Sequence, residues 1–130
     1  MELRIFSYLP NPRIWKATIA ARLCGINVEV VGAPHTELSQ WLWDFEAHLM
    51  TEKERVDHRS FGRQSRLGFG GDLLYKTDSF LNANPFGTVP TAFNPDGSVG
   101  IFESNSIMRT VARLGTGACS LYGDDAYSAS

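Results

Sequence analysis

Residues suited to binding an anion stand at the start of a predicted C-terminal helix. Ser104 begins a segment with helical character that runs through Leu114, and Glu103 precedes it. The first backbone N–H groups of a helix have no partner within the helix, and the helix dipole adds positive potential there. Ser104 is therefore a candidate anion ligand that can also cap the helix. For Glu103 the alternative to a ligand is a solvated acid.

A second group of polar residues follows the first predicted strand. Ser7, Tyr8, Asn11 and Arg13 lie where that strand ends and the first helix begins. Positive potential at a helix start favours a negatively charged group held there. Hydroxyl or amide groups in this position are candidates for stabilising such an ion. The alternatives are that Tyr8 packs in the core and that Asn11 only caps the helix.

Composition excludes several other classes of function. The chain has 130 residues, enough for one domain, and a formal net charge of −2, so no basic field attracts nucleic acid or anionic lipid. Cys24 and Cys119 form no CxxC pair, which argues against a metal site or a dithiol redox centre. Because there is no signal-peptide pattern and no membrane-spanning apolar run, a cytoplasmic protein without membrane contact is expected.

The N-terminal third predicts a β-α-β unit. Alternating side chains over residues 3–8 are typical of a strand. Asn11 is a good N-cap, and Pro12 suits the first position of a helix that should run to about residue 24. Gly25 is a natural stop, and the β-rich residues 27–31 form the next predicted strand.

The C-terminal third predicts two strands and a helix. A loop and strand cover residues 84–93, a hairpin turn covers 95–98, and 99–102 forms the partner strand. Ser104 should cap the last helix, and Gly115 should end it. The resulting order, β-α-β-(insertion)-β-β-α, predicts a thioredoxin-like α/β fold with a mixed four-stranded sheet.

The middle of the chain predicts a helical insertion. Residues 36–56 carry apolar side chains on one helical face, and 73–83 suit one further short helix, whereas 57–72 look irregular. Trp41 and Trp43 would then point to different helix faces. The apolar face of the helix predicted over residues 36–56 carries Leu38, Trp41, Leu42, Phe45 and Leu49.

Two sequence motifs resemble those of a known family. They are Asn84-Pro85-Phe86-Gly87-Thr88-Val89-Pro90 and Ile101-Phe102-Glu103-Ser104-Asn105-Ser106-Ile107. With the β-α-β unit before them they cover about half the chain, and together they resemble the N-terminal domain of glutathione transferases. The pattern is nearest to the transferase-like domain of elongation factor 1 gamma. It is also similar to bacterial transferases of broad substrate range, including those that cleave aryl ethers.

This resemblance implies glutathione as co-substrate and names the residues that would bind it. Val89 would pair its backbone with the cysteinyl unit, with Pro90 in the cis form. Ser104 would bind the γ-glutamyl carboxylate, and Glu103 the ammonium or the peptide backbone. Asn105 would be a weaker neighbouring contact, and Arg13 could steer the tripeptide. An arginine of the middle segment would bind the glycyl carboxylate, the alternative being that these arginines lie on a solvated, salt-bridged helix face.

The residue that activates the thiol is left open among three. Tyr8 matches the tyrosine-type classes, Asn11 has an amide that could donate to sulfur, and Ser7 is a nearby hydroxyl. No cysteine lies in this region, which argues against a thiol–disulfide transferase. No metal is implied.

Two functions fit the resemblance. The first is a detoxifying glutathione S-transferase that conjugates the glutathione thiolate to a small apolar electrophile and acts as a dimer. The second is a non-catalytic interaction module of the elongation factor 1 gamma type. Residues 1–115 would form the glutathione-binding domain, with the insertion at about 34–83. Residues 116–130 would form a linker towards a helical C-terminal domain.

Overall fold

The structure is a computed structural model and describes residues 1–58, 62–64 and 73–115. The strands of this part are β1 Leu3–Tyr8, β2 Val28–Ala33, β3 Trp41–Trp43, β4 His48–Leu49, β5 Gly62–Gln64, β6 Leu73–Lys76, β7 Thr91–Phe93 and β8 Gly100–Phe102. Its α-helices are α1 Trp15–Cys24, α2 Glu52–Asp57, α3 Asp78–Ala83 and α4 Ser104–Leu114. Two 3₁₀ helices span Pro12–Ile14 and His35–Gln40.

The main sheet has the strand order β2-β1-β7-β8. Strands β1 and β2 are parallel, whereas β7 runs antiparallel to both β1 and β8. This is the predicted mixed four-stranded sheet, and the thioredoxin-like α/β fold class is confirmed. The register pairs Phe6 with Thr91 and Thr91 with Phe102, so the end of β1, the start of β7 and the end of β8 share one edge.

The two faces of the main sheet bury different kinds of side chain. Leu3 and Ile5 of β1 pack with α1 and α4, where Ile107 and Val111 are fully buried. Phe6, which alternation along β1 turns to the opposite face, packs with an aromatic cluster. The cluster consists of Phe6, Trp43, Phe80 and Phe93. The sheet is therefore buried on both faces.

The local signals around α1 are confirmed, with one exception. Asn11 caps the 3₁₀ turn by accepting a hydrogen bond from the backbone N–H of Arg13. Gly25 ends α1 with a left-handed φ of 67°. The exception is the first turn of the helix predicted from about residue 12, because Pro12–Ile14 form a 3₁₀ helix and α1 begins at Trp15.

The expected helical insertion is wrong for residues 36–50. A 3₁₀ helix and strands β3 and β4 occupy this stretch, and α2 is a short helix that begins only at Glu52. Strand β6 pairs with β3 and β5 to give a second four-stranded sheet of order β4-β3-β6-β5. Both tryptophans belong to strand β3, so neither lies on a helix face; Trp43 is buried, and Trp41 stacks on Phe6 at 6.2 Å. Helix α3 matches the later part of the short helix predicted for 73–83.

None of the helices within the described ranges is long and apolar enough to cross a membrane. The same ranges contain no cluster of three or more histidine, cysteine, aspartate or glutamate side chains that could hold a metal ion.

A histidine–carboxylate pair supports the start of α2. The His48 ring contacts the Glu46 carbonyl at 2.6 Å and the Glu54 carboxylate at 2.8 Å. The hydrogen bond to the Glu46 carbonyl, more than the contacts with Glu54, raises the pKa of His48 above 6.5. Hydrogen bonds from Thr51 and His48 lower the pKa of Glu54. The pair therefore stabilises the fold most between pH 4.5 and 6.5, and this contribution is lost as pH falls through the lowered pKa of Glu54 or rises through the raised pKa of His48.

Replacing Glu54 with glutamine is expected to lower the pKa of His48 part of the way towards 6.5, because the Glu46 carbonyl still accepts a hydrogen bond. The matched control is Asp57→Asn, which removes an exposed charge from the same helix without touching His48. An NMR titration of the His48 ring protons measures the pKa of His48 in both variants. Equal shifts in the two variants would contradict the pairing. Because the histidine side chain is 46% exposed, the effect on stability should be no more than about 1 kcal/mol.

Candidate functional site

Five of the residues singled out from the sequence lie at the shared edge of the main sheet. Tyr8 is the last residue of β1, Val89 and Pro90 directly precede β7, and Glu103 and Ser104 directly follow β8. The antiparallel registers bring these chain ends to the same side. We refer to these five residues as the polar edge. The starts of α1 and α4 lie at this edge as well, since each helix follows a strand that ends there.

The Val89–Pro90 peptide bond is cis, as is Leu9–Pro10. Pro90 is buried, whereas Val89 is partly exposed. The loop before them contacts β8 through the rings of Phe86 and Phe102, whose centroids are 5.4 Å apart. The loop is therefore in contact with the last strand of the main sheet three residues before Val89.

A buried asparagine organises this loop. The Asn84 side chain donates to the Thr88 carbonyl at 2.9 Å and to Thr91 Oγ1 at 2.8 Å. Its Oδ1 accepts from the backbone N–H of Phe86 at 3.2 Å. Asn84 is fully buried, so these bonds replace the water that the amide would otherwise need. From the sequence, Asn84 was named only as the first residue of a motif that resembles the family, and no role was predicted for it. Its signal was an asparagine next to a proline, which is typical of side-chain-stabilised turns.

Glycine and lysine fix the middle of the same loop. Gly87 has a φ of 62°, a left-handed conformation that favours glycine. Lys76, the last residue of β6, donates from Nζ to the Gly87 carbonyl at 2.8 Å. A Cβ on Gly87 would lie 2.9 Å from that Nζ. Glycine therefore leaves room for the lysine as well as allowing the turn.

The start of α4 differs from the prediction in one respect. Ser104 is the first helical residue, and Glu103 rather than Ser104 occupies the N-cap position. The φ of Glu103 is 75°, which makes it the single non-glycine residue with positive φ in the described part of the chain. Such a conformation costs on the order of 1–3 kcal/mol and is concentrated at functional sites. No side chain caps the helix, so its first N–H groups stay available to an anion.

The two remaining predicted ligands are exposed at the helix starts. Asn105 accepts a hydrogen bond from Lys16 Nζ, which ties the first turn of α4 to α1. Arg13 contributes its backbone N–H to the Asn11 cap, and its side chain is exposed beside the start of α1. Neither residue belongs to the five of the polar edge.

The three candidates for thiol activation have different environments. Asn11 donates to Ser7 Oγ at 2.9 Å, and the two residues are 1% and 0% exposed. Their polar groups are thus engaged with each other below the surface. Tyr8 is partly exposed, with its ring 6.4 Å from that of His35 in an edge-on arrangement. Of the three side chains, that of Tyr8 is the one within reach of a ligand.

The arginine expected at the glycyl carboxylate is not placed by the structure. Arg55 lies on α2 and contacts the Gln40 side chain at 3.5 Å. Arg59 and Arg66 lie outside the described residues, and the side chain of Arg63 does as well.

Sequence comparisons identify the family and two curated relatives. The family described as "Glutathione S-transferase, N-terminal domain" matches residues 12–114. Probable elongation factor 1-gamma 1 of Arabidopsis thaliana is 54% identical over 114 residues, covering 88% of this chain and 19% of the relative. Elongation factor 1-gamma 3 of Oryza sativa subsp. japonica is 54% identical over 39 residues, covering 30% of this chain and 9% of the relative. The chain thus spans less than a fifth of the length of these relatives.

Solved structures show the same fold at low sequence identity. The Tau class glutathione S-transferase from mango, Mangifera indica, aligns with a TM-score of 0.54 and 16% identity, covering 98% of this chain and 40% of the mango protein. The theta class enzyme from Xanthomonas axonopodis pv. citri, solved with glutathione bound, gives a TM-score of 0.53 and 18% identity. That alignment covers 99% of this chain and 44% of the Xanthomonas protein.

Proposed function

The chain belongs to the glutathione S-transferase N-terminal domain family, and from this premise we propose that it binds glutathione at the polar edge. The observation that carries the proposal is the uncapped start of α4, with Glu103 in a strained conformation before Ser104, beside the Val89–Pro90 loop. Binding of glutathione by the theta class neighbour supports the choice of ligand.

Three parts of glutathione have a partner of suitable chemistry at the polar edge. The γ-glutamyl carboxylate binds the Ser104 hydroxyl and the first N–H groups of α4, where the helix dipole favours an anion. Glu103, which is exposed, provides the negative charge that the ammonium group needs. The backbone of Val89 pairs with the cysteinyl unit in the manner of an added strand. Glutathione would then bridge β7 and α4.

Catalysis requires in addition a group that favours the thiolate, since a free thiol with a pKa of about 8.5 is mostly protonated at neutral pH. Tyr8 is the candidate, because Ser7 and Asn11 are buried and bonded to each other. Glutathione would lose its thiol proton to solvent, and the Tyr8 hydroxyl would donate a hydrogen bond to the resulting thiolate. The thiolate would then form a sulfur–carbon bond with an apolar electrophile while the bond from that carbon to its leaving group breaks. On this reading the protein is a glutathione S-transferase that uses glutathione as co-substrate.

A second candidate function is a non-catalytic interaction module. The observation that favours it is the 54% identity with the Arabidopsis elongation factor 1-gamma over 114 residues. A module of this kind could keep the fold without lowering the pKa of a thiol. The absorbance of the glutathione thiolate, measured against pH in the presence of the protein, distinguishes the enzyme from the module. An enzyme shifts the titration of bound glutathione to lower pH, whereas a module leaves it unchanged or binds none.

Glutathione binding is tested by calorimetric titration of the wild-type chain and of Ser104→Ala. Loss of the hydroxyl should weaken binding about ten- to hundredfold, since a hydrogen bond to a charged group contributes roughly 1.5–3 kcal/mol. The matched control is Ser79→Ala, which removes an exposed hydroxyl from α3 and should leave the affinity unchanged. A folded wild-type chain that binds no glutathione would contradict the proposal. Equal affinity of wild type and Ser104→Ala would remove Ser104 from the site.

A further inference from the structure

One lysine connects the second sheet to the loop of the polar edge. Lys76 ends β6, where the register places it opposite Trp43 of β3. Its Nζ lies 4.9 Å from the centre of the Trp43 ring and 2.8 Å from the Gly87 carbonyl oxygen. The hydrogen bond therefore joins an inserted sheet to the residue two positions before Val89.

The base of this connection is rigid. Trp43 is 1% exposed, and its indole N–H donates to the Leu38 carbonyl at 2.9 Å. The same ring contacts Phe6 of β1 and Phe80 of α3 edge-on. Because the ring of Trp43 is fixed on several sides, the ammonium group held over it has a defined position relative to the main sheet.

The Gly87 carbonyl is well matched to a cationic donor. It sits in a turn in which the Gly87 N–H donates to the Asn84 carbonyl at 2.9 Å. The carbonyl of Gly87 itself accepts the hydrogen bond from Lys76 Nζ. A hydrogen bond from an ammonium group is stronger than one from a neutral donor. Lys76 and Asn84 thus hold the loop from two sides.

We propose that Lys76 is a positioning residue for the glutathione site: it holds the Gly87–Val89 backbone in the conformation that pairs with the tripeptide. This inference rests on the proposed function and extends it, because it gives the inserted sheet a role at the site. The lysine acts through the loop backbone and is not itself assigned a contact with the ligand.

The first test needs no ligand. Amide hydrogen exchange is measured by NMR on the whole chain for wild type, Lys76→Met and Lys76→Arg. The Gly87 amide should exchange about tenfold faster in Lys76→Met, because the turn it closes loses its outer support. The reference is the Gly97 amide, which donates to the Asn94 carbonyl in a comparable turn and should not change. Lys76→Arg keeps a cationic donor and should restore slow exchange at Gly87.

The second test is the affinity for glutathione of the same variants. We expect Lys76→Met to bind about fivefold more weakly and Lys76→Arg to recover most of the affinity. The matched control is Lys53→Met, which removes an exposed lysine from α2 and should bind as wild type does. Unchanged Gly87 exchange in Lys76→Met overturns the proposal, as does faster exchange with unchanged affinity. If wild type binds no glutathione, the proposed function fails, while the exchange arm still decides whether Lys76 holds the loop.

Discussion

Replacing Gly32 with alanine is expected to destabilise the fold by about 3 kcal/mol or more, a large part of the roughly 5–15 kcal/mol that holds a domain of this size together. An added Cβ would lie 1.8 Å from the Ser7 carbonyl oxygen, far inside van der Waals contact. The register pairs Gly32 with Ser7 in the parallel ladder of β1 and β2. Since the obstacle is backbone in a paired strand, no side-chain rotation can relieve it.

The matched comparison is Gly25→Ala, at the end of α1. A Cβ there meets nothing within 4 Å, but the φ of 67° is unfavourable for alanine, so the expected cost is about 1–2 kcal/mol. Urea denaturation followed by circular dichroism measures both variants. If Gly32→Ala lowers the free energy of unfolding by no more than Gly25→Ala does, β1 and β2 do not approach each other as closely as described. The result also bears on the site, because the end of β1 that Gly32 accommodates carries Tyr8.

The β-α-β and β-β-α parts could be predicted from the sequence because their signals are local. Asn11, Gly25 and the hairpin at 95–98 each act within a few residues of the feature they determine. The middle segment could not be predicted in this way. Its apolar residues occur at helical spacing, but β3 pairs with β6, about thirty residues further along the chain. Pairing between distant short strands leaves no periodic pattern in either one.

In the candidate site, too, some features could be predicted from the sequence and others could not. Tyr8 and Ser104 were predicted because they stand at element ends, where a strand end and a helix start can be recognised, whereas Val89, Pro90 and the role of Glu103 were implied by the family resemblance. The positive φ of Glu103 was not predicted, because neither the residue type nor its neighbours require it. The roles of Asn84 and Lys76 were missed because both depend on contacts with a loop whose path the sequence does not specify.

Replacing Asn84 with alanine is expected to destabilise the fold by about 2–4 kcal/mol and to abolish measurable glutathione binding. The substitution removes the donated hydrogen bonds to Thr88 and Thr91 and the one accepted from the Phe86 N–H, each contributing roughly 0.5–1.5 kcal/mol. Thr91 is fully buried, so water cannot take the place of the lost donor. Without these bonds the loop no longer holds Val89 in a fixed position, and binding would require the ligand to order it.

Two further variants separate the loop from the general stability of the fold. Asn82→Ala removes an exposed amide from α3 and should change neither stability nor binding. Asn84→Asp keeps the acceptor for the Phe86 N–H but has no donor for Thr88 or Thr91. If donation by Asn84 fixes the loop, Asn84→Asp should bind glutathione as poorly as Asn84→Ala does at a temperature where both are folded. Wild-type affinity in a folded Asn84→Asp would show instead that the loop is held by Gly87 and Lys76 without it, and the asparagine would then matter for stability alone.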